Sequence, residues 1–288
     1  MTTLQHLDLD GIHALAWGDT GPPVVLVHGL DGSAANWVPV GQHLAATHRV
    51  LAVDLPDFGR TPLGRHRSAM TAHADLVTRL TRDWTDQAVA LAGNSMGGVV
   101  AALAASRHTD LAHRVTLVAS ALPRSGDGWI DPTIVPAWLS LWLPGSATAV
   151  AGGRNSTPPR QRVQALLDLC VPPGASIPAD AMAEMVEVAE QRDRRDHVRA
   201  WGRSARSLWG WLARRGAFHR AVDRIQADGV LLTGAVDPII PASSAAAFAA
   251  RHPEWSHVDL PRIGHVPPLE APVATADAIV GSRVHPDA

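Results

Sequence analysis

The stretch Gly93-Asn94-Ser95-Met96-Gly97-Gly98 decides the fold of this chain. It follows one apolar run, residues 88–92, and precedes a second, residues 99–104. A strand, a glycine-flanked serine and then a helix are the setting of the G-x-S-x-G elbow, in which the serine occupies a strained turn. Small neighbours let strand and helix approach closely, so the serine Oγ projects from the sheet. The pattern therefore predicts a nucleophilic serine at the carboxyl end of a strand.

Apolar runs elsewhere in the chain predict the rest of the sheet. Most have no polar alternation, which is typical of strands that are covered on both faces. The predicted strands are residues 5–9, 13–17, 24–27, 50–53, 88–91, 114–118, 230–232 and 256–260. Segments with helical periodicity, such as residues 69–83 and 95–107, lie between most of them. The fold class is therefore α/β, with a mostly parallel eight-stranded sheet and helices on both faces.

The alternation breaks between residues 122 and 221, which are rich in Pro and Trp. Three parts of this stretch, residues 160–169, 179–193 and 195–214, have helical periodicity, and no strand pattern of similar strength occurs. Because the strand pattern resumes afterwards, we expect an inserted helical cap rather than an independent domain. The predicted core is residues 1–121 and 222–288, and the predicted cap is residues 122–221.

Composition excludes several classes of function. The net charge of −2 over 288 residues gives no indication of a nucleic-acid surface. The chain has no Lys, which excludes Schiff-base and P-loop chemistry, and no Tyr to serve as an acid. The first residues lack the features of a signal peptide, and no apolar run is long enough to span a membrane. A single cysteine, Cys170, excludes an internal disulfide, so we expect a cytoplasmic protein. The composition carries no signal for an oligomeric state.

A serine hydroxyl needs a neighbouring base, and that base needs a residue to hold it. His265 follows the last predicted strand and is the candidate base. Asp237 follows the strand at residues 230–232 and is the candidate acid, on the same sheet edge as Ser95. Asp237 precedes Pro238 and could instead cap the following helix.

The segment His28-Gly29-Leu30-Asp31-Gly32 ends the strand at residues 24–27. A turn there can aim the backbone N–H of Leu30 towards the serine, where it would join the N–H of Met96. Two such donors form an oxyanion hole, and each is worth roughly 3–4 kcal/mol in the barrier. The His28 side chain is predicted to be structural and buried near this turn.

With these segments in order, the chain resembles the α/β-hydrolase superfamily over nearly its full length. The resemblance rests on the two segments above, on residues 54–60 (DLPDFGR), on residues 234–241 (GAVDPIIP) and on residues 264–270 (GHVPPLE). It implies that Ser95, Asp237 and His265 are nucleophile, acid and base. It also implies that Leu30 and Met96 are the oxyanion donors, and that no cofactor or metal is required.

The resemblance leaves several reactions open, because one fold serves many. Haloalkane dehalogenases and epoxide hydrolases attack with Asp, whereas this elbow carries Ser95. Hydrolases of carbon–carbon bonds in vinylogous diketones from aromatic ring cleavage are similar at GNSMGG. They tend to have a glycine-rich loop after His-Gly and an aromatic residue after the catalytic His, where this chain has Leu30 and Val266. These departures favour a carboxylic-ester hydrolase acting on a small-molecule ester through an acyl-enzyme. A non-catalytic ligand-binding protein of the same fold is a lesser alternative.

The substrate pocket is predicted from apolar residues of the cap and of the loop after the last strand. These side chains could equally form the cap's own core. The predicted lining residues are Trp129, Trp138, Leu139, Trp142 and Val266. If His265 is the base, activity should rise with pH over roughly 6–7, where an imidazole loses its proton.

Overall fold

An eight-stranded sheet forms the centre of the molecule. The computed structural model describes residues 4–62, 69–124, 157–191 and 194–282, with the backbone alone over residues 194–200. The strands are β1 (Gln5–Asp8), β2 (His13–Trp17), β3 (Pro23–Val27), β4 (Arg49–Val53), β5 (Val89–Asn94), β6 (Ala112–Val118), β7 (Asp228–Gly234) and β8 (Ser256–Leu260). Their spatial order is β1-β2-β4-β3-β5-β6-β7-β8. Strand β2 runs antiparallel to both β1 and β4, and all other pairs are parallel. The predicted fold class is confirmed.

Helices cover both faces of this sheet. In chain order they are α1 (Val38–Leu44), α2 (Met70–Trp84), α3 (Met96–Arg107), α4 (Pro159–Asp168), α5 (Ala179–Gln191), α6 (Arg194–Ala213), α7 (Arg215–Val222), α8 (Ala242–Arg251), α9 (Pro267–Glu270) and α10 (Pro272–Val280). A 3₁₀ helix at Ala34–Trp37 precedes α1. Along the described part of the chain, no helix has both the length and the apolar character needed to cross a bilayer.

The apolar strand runs are explained by two hydrophobic clusters, one on each face of the sheet. Side chains of a strand point alternately to opposite faces. On β3, Val25 and Val27 pack into the cluster that includes residues of α2 and α3. Val24 and Leu26 pack into the cluster that includes residues of α1 and α10. Since both faces are covered, no position of the strand requires a polar residue.

The helices between β6 and β7 pack into both clusters. Val163 of α4 and Met182 of α5 join the cluster of α1 and α10. Leu208 of α6 and Phe218 of α7 join the cluster of α2 and α3. The predicted helices at residues 160–169, 179–193 and 195–214 correspond to α4, α5 and α6. The division into a core and a cap stays a prediction.

A buried carboxylate, Asp54, organises the loops at the end of β4. It accepts hydrogen bonds from His13 Nδ1 at 2.7 Å and from the backbone N–H groups of Ala34 at 2.7 Å and Arg60 at 2.8 Å. Gly59 has a φ of +55°, and a Cβ there would lie 1.9 Å from the Asp54 carboxyl carbon. The carboxylate therefore ties together three segments that are distant in sequence, and it leaves no room for a side chain at Gly59.

The charge of Asp54 is stabilised despite its burial. Burial raises the pKa of Asp54, but the His13 hydrogen bond, the nearby His28 ring and the two backbone N–H groups lower it. The net pKa lies below the ordinary aspartate value. Because the folded-state pKa is lowered, the ionised carboxylate stabilises the fold above the ordinary aspartate pKa of about 3.9. That contribution is lost as the pH falls through the folded-state value.

Replacing Asp54 by Asn should lower the free energy of unfolding by about 3 kcal/mol at pH 7. The amide keeps the shape of the side chain but removes the charge and presents a donor to groups that are themselves donors. Urea unfolding measures the loss, with the exposed Asp83→Asn as a control that changes stability by less than about 0.5 kcal/mol. The difference from wild type should shrink as the pH falls below about 4. Equal unfolding midpoints at pH 7 would show that Asp54 does not hold these loops.

Candidate active site

Ser95 occupies a strained turn between β5 and α3. Its φ is 54° and its ψ is −116°, a conformation that is costly for a residue with a side chain. The Ser95 N–H donates to Val118 O at 3.0 Å, and Ser95 O accepts from the Ala121 N–H at 3.1 Å. These bonds to the end of β6 hold the turn in place. The Ser95 side chain is partly exposed, whereas its chain neighbours Asn94 and Met96 are buried.

The glycines around Ser95 are required by close packing of α3 against the sheet. A Cβ on Gly93 would lie 2.1 Å from Gly97 O, and a Cβ on Gly97 would lie 2.2 Å from Val27 O. A Cβ on Gly98 would lie 2.3 Å from Ser120 Oγ. These distances are shorter than any Cβ contact that a real side chain makes. The small residues that flank the serine therefore let the helix begin directly against the strand ends.

The structure brings Ser95, His265 and Asp237 together. His265 Nε2 lies 2.9 Å from Ser95 Oγ, and His265 Nδ1 lies 2.8 Å from Asp237 Oδ2. The side chains of His265 and Asp237 are 7% and 4% exposed. With the proton on Nδ1, the ring donates to Asp237 and leaves Nε2 to accept the Ser95 hydroxyl proton. This is the arrangement that serine activation requires.

Asp237 is held by its own loop and does not cap the helix that follows. Its Oδ1 accepts the backbone N–H groups of Ile239 at 2.7 Å and Ile240 at 2.9 Å. Helix α8 begins later, at Ala242. The local N–H groups fix one carboxylate oxygen, so the other oxygen faces His265.

The backbone around His265 is fixed by residues that the sequence analysis did not assign. The His265 N–H donates to Cys170 O at 2.8 Å, and His265 O accepts from Asn94 Nδ2 at 3.1 Å. The Glu270 carboxylate accepts the N–H groups of Gly264 at 2.7 Å and Val266 at 2.9 Å. Asn94 and Glu270 stand inside the two motifs that carry Ser95 and His265, which is the signal that could have found them.

The turn at residues 28–32 lies directly against Ser95. Gly32 N–H donates to Gly29 O at 3.1 Å, and Asp31 has a φ of 66°. A Cβ on Gly29 would lie 3.1 Å from Ser95 Cβ. The N–H of Leu30 belongs to this turn, and the N–H of Met96 is in the first turn of α3, where helices leave N–H groups without an internal acceptor. Both remain predicted oxyanion donors.

The His28 side chain links this turn to the loop after β4. Its ring is completely buried, and Nδ1 lies 2.7 Å from Gly29 O. Nε2 accepts the backbone N–H of Leu55 at 3.0 Å, so Nδ1 carries the proton and donates to Gly29 O. The side chain of His28 is therefore structural.

Of the predicted pocket residues, only Val266 lies within the described part of the chain. Trp129, Trp138, Leu139 and Trp142 lie outside the described residues. Val266 is 5% exposed and packs in the cluster that includes residues of α4 and α5. Its role in lining a pocket stays a prediction. Within the described ranges, no group of three or more His, Cys, Asp or Glu side chains could hold a metal ion.

Cys170 lies near the site with its thiol in an electronegative environment. Burial first, and then the negative charges of Asp237, Asp31 and Glu270, raise the pKa of the Cys170 thiol to about 12. A thiol with this pKa is almost fully protonated at neutral pH. The contribution of Cys170 to the site is therefore its backbone carbonyl, which accepts the His265 N–H.

The family follows from a sequence comparison that agrees with this geometry. Residues 22–272 match a family model described as the alpha/beta hydrolase fold. The chain belongs to the α/β-hydrolase family. Like other members of the family, this α/β hydrolase places its glycine-flanked serine where a parallel strand meets a helix.

Relatives and solved structures agree with the family. The chain is 31% identical over 257 residues to the dihydrolipoyllysine-residue acetyltransferase component of an acetoin cleaving system from Pseudomonas putida, covering 88% of this chain and 61% of that protein. It is 34% identical over 122 residues to a pimeloyl-[acyl-carrier protein] methyl ester esterase from Aeromonas hydrophila, covering 42% of this chain and 46% of that protein. The matches thus cover less than two thirds of the length of each.

Among solved structures, the chain is similar to a 2-hydroxy-6-oxo-6-phenylhexa-2,4-dienoate hydrolase from a Rhodococcus strain. The TM-score is 0.75 at 22% identity, over 98% of this chain and 99% of that one. At this identity the likeness concerns the fold of this α/β hydrolase and not its substrate.

Replacing Gly97 by Ala should disturb the position of Ser95, although Ala is normally favourable within a helix. The added Cβ would meet Val27 O and His28 O at 2.2 and 2.6 Å, so α3 must move away from the strand ends. We expect the rate of Ser95 labelling by a fluorophosphonate to fall roughly 100-fold, since an ångström of displacement costs about that much.

Gly210→Ala is the matched control for this change. Gly210 lies within α6, and a Cβ there meets no described atom within 4 Å. It should label like wild type and be more stable by roughly 0.5–1 kcal/mol. Labelling of Gly97→Ala at the wild-type rate would contradict the packing argument.

Cys170 should react slowly with iodoacetamide at pH 8. Its thiolate fraction is far below that of an ordinary thiol with a pKa of about 8.5, and we expect a rate roughly 10- to 1,000-fold lower. The same protein unfolded in urea is the reference, because unfolding removes both the burial and the nearby carboxylates. Equal rates in the folded and unfolded protein would be inconsistent with this environment.

Proposed function

We propose that this α/β hydrolase cleaves carboxylic esters through an acyl-enzyme, and that its substrate has an apolar acyl or alcohol part. The observation that carries the proposal is the continuous hydrogen-bonded chain from Asp237 through His265 to Ser95. A thiolate nucleophile at Cys170 is disfavoured, because burial and nearby carboxylates raise the pKa of that thiol to about 12.

In the first half of the reaction, His265 Nε2 takes the Ser95 proton while Oγ attacks the ester carbonyl carbon. The carbonyl oxygen becomes an oxyanion, which the N–H groups of Leu30 and Met96 would stabilise. Asp237 holds the imidazole in the required tautomer and stabilises its cation. The bond to the alcohol oxygen then breaks, and His265 returns the proton to the leaving alcohol.

In the second half, water replaces the alcohol. His265 takes a proton from the water as it attacks the acyl-enzyme, and the oxyanion forms again in the same place. When the bond to Oγ breaks, His265 protonates Ser95 and the acid is released. Each proton that His265 accepts is returned within the same half-reaction, so the enzyme is regenerated.

The same proposal makes residues 122–221 a cap over the site, with Trp129, Trp138, Leu139 and Trp142 as apolar walls. Ion pairs between the loop after β4 and two helices support it. Arg60 pairs with Glu184 of α5, and its other terminal nitrogen lies 3.3 Å from Glu187 Oε1. Arg203 of α6 lies 3.2 Å from the buried carboxylate of Asp57.

The choice of ester over other substrates is supported by sequence departures and by one relative. A pimeloyl-[acyl-carrier protein] methyl ester esterase matches over 122 residues. Leu30 and Val266 stand where ring-cleavage hydrolases tend to have a glycine and an aromatic residue. These points favour a carboxylic ester over a vinylogous diketone.

Turnover of p-nitrophenyl esters of increasing acyl length tests the proposal. We expect Ser95→Ala and His265→Ala to lower kcat by roughly 10⁴- to 10⁶-fold, and Asp237→Asn by roughly 10³- to 10⁴-fold. Ser256→Ala is the matched control, because Ser256 is exposed at the amino end of β8, away from the strand ends that carry the site. It should leave kcat unchanged.

The outcomes separate the candidate functions. Consumption of a ring-cleavage diketone with no ester turnover would replace this proposal by carbon–carbon bond hydrolysis. Absence of turnover together with saturable binding of an apolar ester would indicate a ligand-binding protein. Ester cleavage that survives Ser95→Ala would remove the acyl-enzyme.

A further inference from the structure

The Glu270 carboxylate accepts hydrogen bonds from the backbone N–H groups of Gly264 and Val266, the two residues that flank His265. Glu270 is the last residue of the short helix α9, and each of its carboxylate oxygens accepts one backbone N–H. Oε2 lies 2.7 Å from Gly264 N and Oε1 lies 2.9 Å from Val266 N. Hydrogen bonds to an ionised acceptor are stronger than neutral ones, and two bonds from one rigid group also fix direction. The carboxylate thus defines the path of the chain through His265.

We propose that Glu270 is a positioning residue, which holds the His265 loop by these two bonds and places a carboxylate against the backbone on either side of His265. The inference rests on the proposed function, since it concerns how the base of that reaction is oriented and charged. The hydrogen bonds of Glu270 go to the backbone on either side of His265, so Glu270 would act through His265.

The other hydrogen bonds to His265 show why the two bonds of Glu270 are needed. The N–H of His265 donates to Cys170 O, and its C=O accepts from Asn94. Both partners come from distant parts of the chain, and they hold the N–H and the C=O of His265. Glu270 adds a bond to the Gly264 N–H, and a second to the Val266 N–H, which belongs to the same peptide group as the His265 C=O. Without it, the loop could pivot about the two remaining bonds and carry Nε2 away from Ser95 Oγ.

The charges around Glu270 come from several elements. Asp237 follows β7, His265 follows β8, and the Cys170 thiol follows α4 and is itself influenced by Asp31. Burial raises the pKa of Glu270, the N–H groups of Gly264 and Val266 lower it, Asp237 raises it and His265 lowers it, with a net increase. His265 is among the groups that lower the pKa of Glu270, so an ionised Glu270 and an imidazolium at His265 would stabilise each other. The carboxylate favours the cation that forms when Ser95 is deprotonated.

Glu270→Gln is the most direct test. The amide has the same shape, but its NH₂ group donates where the carboxylate oxygen accepted, so one N–H loses its partner and the charge is lost. We expect kcat for a p-nitrophenyl ester to fall roughly 10- to 100-fold while KM changes by less than about threefold. The acidic limb of the kcat/KM profile should move to lower pH, because the imidazolium has lost a stabilising charge.

Glu254→Gln is the matched control. Glu254 is exposed and precedes β8 at the amino end of that strand, so the variant removes the same charge far from the site. It should keep the wild-type kcat and pH profile. A merely structural role for Glu270 would lower the melting temperature of Glu270→Gln without moving the acidic limb, and that result would overturn the proposal.

A measurement on the wild-type protein keeps the proposal testable if Glu270→Gln does not fold. The amide protons of Gly264 and Val266 should shift together in an NMR pH titration, with the midpoint of one carboxyl group. If the two amide protons titrate separately or not at all, Glu270 does not hold both N–H groups. If wild type cleaves no ester but these amides titrate together, the proposed function fails, and the conclusion that Glu270 holds the loop remains. If wild type cleaves esters and Glu270→Gln behaves like wild type, only the positioning role fails.

Discussion

The close contact between α3 and the carboxyl ends of β3 and β5 is the constraint on which the rest of the structure depends. Backbone atoms of Gly97 and Val27 approach so nearly that no side chain fits between them. The chain passes from β5 into α3 through Ser95, which has a positive φ. A conformation of this kind costs on the order of 1–3 kcal/mol, which the buried sheet and helix around it must offset. In this conformation the Ser95 hydroxyl lies at the edge of the sheet, within hydrogen-bond distance of His265.

Buried carboxylates fix the loops that surround this hydroxyl. Asp54 joins the start of β2, the 3₁₀ helix at Ala34–Trp37 and the loop after β4. Asp237 fixes the loop after β7, and Glu270 fixes the loop after β8. Each accepts at least two backbone N–H groups from the segments that follow the strand ends. A loop at the edge of a parallel sheet has N–H groups that no strand can satisfy, and a carboxylate satisfies several of them at once. Catalytic side chains must be held close to one geometry, and loops fixed in this way on a rigid sheet can hold them there.

The sheet and five of the ten described helices could be predicted because their signals are local. Residues 24–27 and 50–53 are apolar throughout, and the structure places them in strands that face a hydrophobic cluster on each side. The serine turn was visible because its glycines are adjacent in sequence. The roles of Asn94, Cys170 and Glu270 around His265 were not visible. Asn94 and His265 are 171 residues apart, and no periodicity links an amide side chain to a carbonyl at that separation.

The sequence by itself determined the fold class, the chain order of the elements and the serine turn at Ser95, and it offered Asp237 and His265 as candidates at the ends of strands. Those depend on hydrophobic periodicity and on small residues at fixed spacing, which are properties of short segments. Only the tertiary structure decided that His265 Nε2 lies 2.9 Å from Ser95 Oγ, and that Asp237 uses one oxygen for its loop and the other for His265. Such distances arise from the packing of helices on both faces of the sheet and from hydrogen bonds between distant loops, and neither is encoded in any single segment.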